Sequence, residues 1–218
     1  MLDWLPENVA PYGQDVDWLF YLIYYITGAI FLLVTATLIA FVVRYRYREG
    51  RRATYTHGNA TLEIVWTIIP AIILIVLTLL SIPTWGRIEQ QVPASDVHIR
   101  VTAKQFNWEV TYPGPDGQFD TPADVTLDNE LHIPAGKPAI LHIRSKDVIH
   151  ALFMPNLRFQ QDAVPGREIV RWIEATKPGK YEIPCAELCG FGHSGMRGFL
   201  FVHTPEEYAQ WLKQLRPS

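Results

Sequence analysis

The chain is poor in the residues from which many sites are built. Of its 218 residues only two are cysteine and three are methionine. Two cysteines are too few for a disulfide-rich scaffold, which needs several bridges. No Cys-x-x-Cys-His sequence occurs, so the chain carries no covalently attached haem C of its own. Charged residues are 19% of the total, formal net charge is −3, and no long basic run occurs, so nucleic acid is not an expected partner. Internal repeats and low-complexity stretches are also missing, which excludes a solenoid. No basic segment with a cleavage site stands ahead of the first apolar run, so no signal peptide is expected.

Charge is also missing locally. No residue from Leu19 to Val43 is charged, and the same holds from Ile64 to Trp85. At about 1.5 Å per residue either run spans roughly 30 Å as a helix, the thickness of a bilayer core. A buried soluble helix can be this apolar but is seldom this long, so both runs read as membrane spans. Pro70 lies inside the second and is expected to kink it, which a membrane bundle tolerates. The connector holds Arg44, Arg46, Arg48, Arg51 and Arg52 against Glu49 alone and should stay cytoplasmic. The N-terminal tail has Asp3, Glu7, Asp15 and Asp17 with no Lys or Arg, so both termini are expected outside a bacterial-type plasma membrane. Trp18 and Trp85 sit where aromatic belts form. The expected plan is an outer tail over 1–16, a helical hairpin over 17–86 with its basic loop at 44–60, and an extracytoplasmic domain over 87–218.

That outer domain reads as short alternating segments bounded by Pro and Gly: "VHIRVTAKQFNWEVTYP", "LHIPAGKPAILHIRS", "REIVRWIEA", "GKYEIPC" and "MRGFLFVHT". Period-two alternation with turns between predicts an antiparallel β sandwich or barrel. Only "PEEYAQWLKQLRPS" reads as helix, with Thr204 as N-cap and Pro205 in the first turn.

Both cysteines lie in "CAELCGFGHSGM", residues 185–196. A disulfide between Cys185 and Cys189 would close a very short loop and stabilise little. The spacing Cys-x3-Cys-x3-His-x2-Met instead gathers soft and borderline donors, the set that selects copper over magnesium or calcium. One Cys, one His and one Met would make a mononuclear copper loop. A second Cys allows two thiolates to bridge two coppers, each then needing one His and a weaker ligand. His98, His132 and His142 alternate within strands and read as polar-face residues, His57 is in the cytoplasmic loop, and His203 follows an apolar strand. His150, where "SKDVIH" passes from strand into loop, is the favoured upstream ligand.

With these features the chain resembles subunit II of the haem–copper cytochrome c oxidases. The resemblance spans nearly all of it and rests on "DVIHALFMPNLRFQQDAVPGR" and "CAELCGFGHSGMRG". It implies two transmembrane helices followed by a cupredoxin-like Greek-key domain. It implies a dinuclear copper centre, CuA, that takes single electrons from cytochrome c, or another small donor, and passes them to the haems of subunit I. Cys185 and Cys189 would bridge the coppers, His150 and His193 each cap one, Met196 act as a weak ligand, and Glu187 give its backbone carbonyl. The Glu187 carboxylate would face subunit I and hold Mg2+ or Mn2+. Glu63, in "NATLEIVWTIIP", would stand at the mouth of a proton path into subunit I; from position alone it is equally a helix N-terminal acid.

In "AKQFNWEVTYPG" alternation places Phe106, Trp108, Val110 and Tyr112 on one strand face, ordinarily a core stripe. The family usually has Gln-Trp-x-Trp there, with an exposed Trp admitting electrons, so Phe106 stands at that position and Trp108 is the other candidate. From Glu109 to Glu130 the chain also has Asp116, Asp120, Asp124 and Asp128 without Lys or Arg, a solvated loop or a steering patch for a basic donor. Rival readings are a copper-free subunit of quinol-oxidase type, a CuA-bearing nitric oxide reductase subunit, nitrous oxide reductase, and a secreted disulfide-bridged adhesion domain. Intact ligands oppose the first. The two spans and the lack of a large extra catalytic domain oppose the third.

Overall fold

The structure, a computed structural model, describes residues 4–215, so Asp3 and the last three residues lie outside it. The described chain divides into two compact units, residues 15–87 and residues 1–14 with 88–218.

The first unit is a pair of long helices, α1 (Gly13–Arg44) and α2 (Ala60–Trp85), followed by a π-helical turn, Gly86–Gln90. Both helices are long and apolar enough to cross a membrane, and the most apolar window of each has no buried residue. A soluble core helix would hide that surface; these turn it outward, as lipid requires. Four threonine hydroxyls within the runs are satisfied by their own helix: Thr27, Thr37, Thr67 and Thr78 each donate to the carbonyl four residues back at 2.8 Å. Asn59 caps α2 by accepting from the Leu62 amide at 3.1 Å. The helix runs on through Pro70 and Pro83.

The second unit is a β sandwich. Strands β1 (His98–Lys104), β2 (Asn107–Tyr112), β3 (Val125–Asp128), β5 (Ala139–Ser145) and β8 (Ile169–Ile173) form one sheet in the order β3-β2-β1-β5-β8. The strands β4 (Glu130–Pro134), β10 (Arg197–His203) and β9 (Gly179–Pro184) form a second, and β6 (His150–Met154) pairs with β7 (Phe159–Ala163). Ile99, Val101, Leu141, Ile143, Leu131, Ile133, Leu152 and Leu200 fill the space between them, each at most 1% exposed. Alternation marks the buried face in β2 and β10, whereas β1 and β4 are buried on both faces over most of their length. It does not report a neighbour's direction, and two pairings, β1 with β5 and β4 with β10, are parallel where an all-antiparallel sheet was expected.

The segment read as one strand through Phe106 is a hairpin, β1 turning into β2 at Gln105–Phe106. Phe106 therefore leaves the stripe and is 38% exposed, while Trp108, Val110 and Tyr112 stay in the core. His132 also departs from the polar-face reading: it is buried, stacked between Phe201 and Trp211. Trp211 belongs to α3 (Pro205–Leu215), whose start is a capping box. Glu207 N–H donates to Thr204 Oγ1 at 3.3 Å, and Thr204 N–H donates to Glu207 Oε2 at 3.0 Å. The N-terminal tail belongs to this unit. Val9 exchanges backbone hydrogen bonds with Asn156 and Thr176, and Tyr12 meets Trp172 edge-on at 5.4 Å.

Candidate metal centre

Three chain segments converge at one end of the sandwich: the start of β6, the loop from β9 to β10, and the β1–β2 turn. Cys185 ends β9's extended run and is tied to both neighbours. Its N–H donates to the Met196 carbonyl at 3.1 Å, and Ala186 N–H donates to the Ala151 carbonyl at 3.1 Å. The loop between Cys185 and Met196 is thus closed at its base and attached to β6.

Inside it the donor atoms face one another. Cys185 Sγ is 3.9 Å from Cys189 Sγ and 3.9 Å from His150 Nδ1. Cys189 Sγ is 3.6 Å from His193 Nδ1 and 3.8 Å from Met196 Sδ. The Glu187 carbonyl oxygen lies 3.3 Å from Cys185 Sγ. Donor atoms of His150, Cys185 and Cys189 all lie within 4.8 Å of one another, and all three residues are buried. The cysteines are free thiols, so the disulfide reading fails. A sulfur separation of 3.9 Å is below twice a metal–thiolate bond of about 2.3 Å, so one ion can touch both sulfurs. Burial, with the Cys185 thiol beside it, pushes the Cys189 thiol up to about 11. A soft cation would displace the Cys189 proton and offset the burial.

The imidazole of His150 is oriented by a residue that sequence reasoning missed. Its Nε2–H donates to Asp147 Oδ1 at 2.8 Å, which leaves Nδ1 as the lone pair facing Cys185. Burial opposes ionisation of Asp147, but the hydrogen bond from His150 and those from the Gln105 and Val148 amides outweigh it and hold the carboxyl below its ordinary range. Gln105 was also missed; its Nε2 donates to the Cys189 carbonyl at 2.6 Å. The sequence signals for them are their places in quoted motifs, Asp147 at the head of "DVIH" and Gln105 as the Gln of the Gln-Trp-x-Trp pattern, neither of which tells what the side chain contacts.

Phe106 lies on the ligand loop itself. A Cβ built at Gly192 would fall 2.5 Å from its ring, and one at Gly190 would fall 2.6 Å from Gln105 Nε2. Gly190 also has φ of +135°, so glycine is required there twice over. Trp108 is on the inner side, 1% exposed, with its ring 6.1 Å from that of His150. Beside the ligands in sequence, Val148, Ile149, Leu188 and Phe191 are apolar and exposed.

Two acids singled out in the sequence are exposed. The Glu187 side chain is exposed at the loop surface. Glu63 belongs to the helical unit, exposed in the first turn of α2. The acid run from Glu109 to Glu130 is largely engaged within the chain. Glu109 is paired with both Lys104 and Lys146, and Asp120 with Arg100 at 2.7 Å. Asp124 accepts from Asp120 N–H and from Thr121 within its own loop, and Asp128 accepts from Asn107.

Comparison with known proteins agrees with this geometry. Residues 3–84 match the family described as cytochrome c oxidase subunit II, transmembrane domain, and residues 112–200 match cytochrome c oxidase subunit II, periplasmic domain. The chain is 31% identical to cytochrome c oxidase subunit 2 of Thermostichus vulcanus, over 96% of this chain and 78% of that one. It is 30% identical to cytochrome c oxidase subunit 2 of Cereibacter sphaeroides, over 96% of this chain and 78% of the other. The periplasmic domain of subunit II of a cytochrome oxidase from Bradyrhizobium japonicum superposes with a TM-score of 0.51 at 31% identity, covering 57% of this chain and 96% of that one. Two apolar helices, a cupredoxin-like sandwich and a buried His–Cys–Cys cluster thus fall together in one chain, which belongs to the cytochrome c oxidase subunit II family, part of a haem–copper oxidoreductase complex.

Proposed function

We propose that this chain accepts single electrons from cytochrome c, or a similar small donor, at a dinuclear copper centre and hands them to the haem-bearing subunit I. The observation that carries the reading is the donor set: two buried free thiols 3.9 Å apart, an imidazole nitrogen beside each, a thioether and one carbonyl. Cys185 and Cys189 would bridge the two coppers, His150 and His193 would cap them, and Met196 and the Glu187 carbonyl would complete the set. When bound, the pair of coppers supplies a one-electron carrier whose charge is spread over soft sulfur.

The rest is the work of the polypeptide. The sandwich holds the thiols rigidly, since the loop is pinned at Cys185, Ala186 and Met196 by strand-like hydrogen bonds. Asp147 fixes the His150 tautomer, and Gln105 fixes the Cys189 carbonyl. Burial of His150, Cys185, Cys189 and Met196 excludes water, which limits solvent rearrangement when charge arrives. Phe106, exposed on one side and resting on residues 190–192 on the other, is the side chain through which electrons enter. Trp108 is core. The Glu187 carboxylate, a hard oxygen donor, would hold Mg2+ or Mn2+ against subunit I, and Glu63 would admit protons to it. Packing of the N-terminal tail on the β domain supports both lying on the outer side, with the arginine loop inside.

The test is the intact chain purified in detergent and loaded with copper. Two coppers per chain and a seven-line electron paramagnetic resonance (EPR) pattern, from one unpaired electron shared by two nuclei, are expected. Cys189→Ser should abolish that pattern, while Met196→Leu should keep two coppers at an altered potential. A four-line pattern with one copper per chain would overturn the dinuclear reading.

A further inference from the structure

A second group of metal-ligating side chains lies on the outer face of the five-stranded sheet, and none of its residues belongs to the thiol cluster. β1 and β5 run parallel and adjacent, bringing His98 and His142 side by side. His98 Nδ1 is 3.2 Å from His142 Nε2. The other nitrogens are already committed: His98 Nε2 is 3.1 Å from the Ser95 carbonyl oxygen, and His142 Nδ1 is 3.0 Å from Glu168 Oε1.

Those two partners decide the protons. A carbonyl oxygen only accepts, and so does a carboxylate; Arg100 Nε lies 3.6 Å from Glu168 Oε2. Each outer nitrogen therefore carries a proton, and in a ring with one proton that is its only one. The inner nitrogens are then both lone pairs, pointing at each other across 3.2 Å. Two acceptors in that arrangement repel unless a cation lies between them. The other histidine pair in the domain has no such conflict. His132 Nδ1 is 2.8 Å from His203 Nε2, and with Glu130 Oε2 3.6 Å from His132 Nε2 that nitrogen keeps the proton while His203 Nε2–H donates to Nδ1.

We propose that His98 and His142 chelate a divalent ion of borderline softness, Zn2+ or Cu2+, with water completing its coordination. With metal–nitrogen bonds of about 2.0–2.1 Å, two imidazoles on one tetrahedral ion have nitrogens about 3.3–3.4 Å apart, close to the separation here. Each ring is also anchored as metal-bound histidines are, one by a carboxylate and one by a carbonyl. Two neutral nitrogens without oxygen donors do not suit Mg2+ or Ca2+. The charge of nearby Arg100 is offset by Asp120 at 2.7 Å as well as by Glu168, and its guanidinium is covered by the Phe119 ring. The His142 side chain is 18% exposed, so an ion reaches the pair from solvent without unfolding.

The experiment is equilibrium dialysis of the assembled, copper-loaded oxidase against micromolar Zn2+ at pH 7.5, with zinc counted by mass spectrometry. Wild type should bind one zinc more than the His98→Gln/His142→Gln double variant. Glu168→Gln should weaken that extra site roughly tenfold, since it loses the carboxylate that orients His142. His203→Gln should leave it unchanged. Equal zinc in wild type and double variant overturns the proposal. If the double variant does not assemble, one equivalent of Cu2+ added to wild type decides: a mononuclear signal split by two imidazole nitrogens upholds the site, and its absence overturns it. A proton shared between the rings, seen as a through-bond 15N–15N coupling that zinc leaves untouched, overturns it too.

Discussion

The thiol cluster and the first turn of α2 place their functional candidates in opposite surroundings. In the sandwich the candidates are held by the same chain: His150 has Asp147, the Cys189 carbonyl has Gln105, and Cys185 is tied to Met196. In the hairpin no residue of α2 is buried, and Glu63 stands exposed in its first turn. Glu187 stands likewise at the loop surface. The difference separates what this polypeptide completes alone from what it presents to others. A copper site can form within one chain; a proton path or an interfacial Mg2+ site through Glu63 and Glu187 requires subunit I.

That division can be broken most sharply at Asp147. If the centre is self-contained, Asp147→Asn in the isolated chain should lower copper affinity about 10–100-fold, because the His150 ring loses the partner that fixes its tautomer. Copper titration followed by the visible spectrum measures it. An unchanged affinity would mean that backbone packing alone orients the ring.

Glu63 gives the complementary test, with a smaller effect and a different place to look. Glu63→Gln should leave copper content and reduction by the donor intact in the isolated chain. In the assembled oxidase reconstituted in vesicles it should slow turnover several-fold, as loss of one proton-uptake group would. Equal turnover of variant and wild type would leave Glu63 as a helix N-terminal acid favourable to the dipole.

How far the sequence reaches depends on whether a role is local. All but one of the proposed ligands lie within twelve residues, and their order alone marks a soft-metal loop. The two spans are equally local, being runs without charge. Asp147 and Gln105 could not be weighted, since their part depends on three segments meeting in space. His132 was misread for the same reason: alternation sees the strand, whereas the burial comes from α3 lying over it. The parallel pairings were illegible because a strand's pattern carries no record of its neighbour's direction.

The His132 stack supplies a third contrast, an intrachain polar site whose cost depends on pH. Burial, and then the neighbouring His203, lower His132 to about 4, against an ordinary value near 6.5 in the unfolded chain; Glu130 opposes the shift. The folded protein thus refuses a proton that the unfolded chain accepts. Stability from this site is complete above about pH 6.5 and is lost as pH falls toward 4, by on the order of 2 kcal/mol. His132→Phe should flatten the thermal midpoint between pH 6.5 and 4 relative to wild type. Parallel pH curves for the two would place the acid sensitivity elsewhere.

The smallest effect concerns the outermost part of the site, where the donor docks. An acid run beside Phe106 would steer a basic protein, and salt would then slow its association steeply. The acids are mostly engaged, however: Glu109 by Lys104 and Lys146, Asp120 by Arg100, Asp124 by its own loop. Beside the ligands in sequence are instead Val148, Ile149, Leu188 and Phe191, all apolar and exposed. Only Glu109 and Asp120 are neutralised by cations, while Asp116, Asp124 and Asp128 accept from neutral donors and keep their charge, so the second-order rate of reduction by a basic cytochrome c should fall only modestly, by less than about threefold, between 50 and 300 mM salt. Asp116→Asn together with Asp128→Asn should alter it little, whereas Phe191→Ser should weaken docking through lost apolar contact. Phe106→Ala should slow the transfer after docking with copper content unchanged. Stopped-flow reduction at several ionic strengths separates these terms. A steep salt dependence removed by the two Asp substitutions would show that the acids without a cation partner govern the approach.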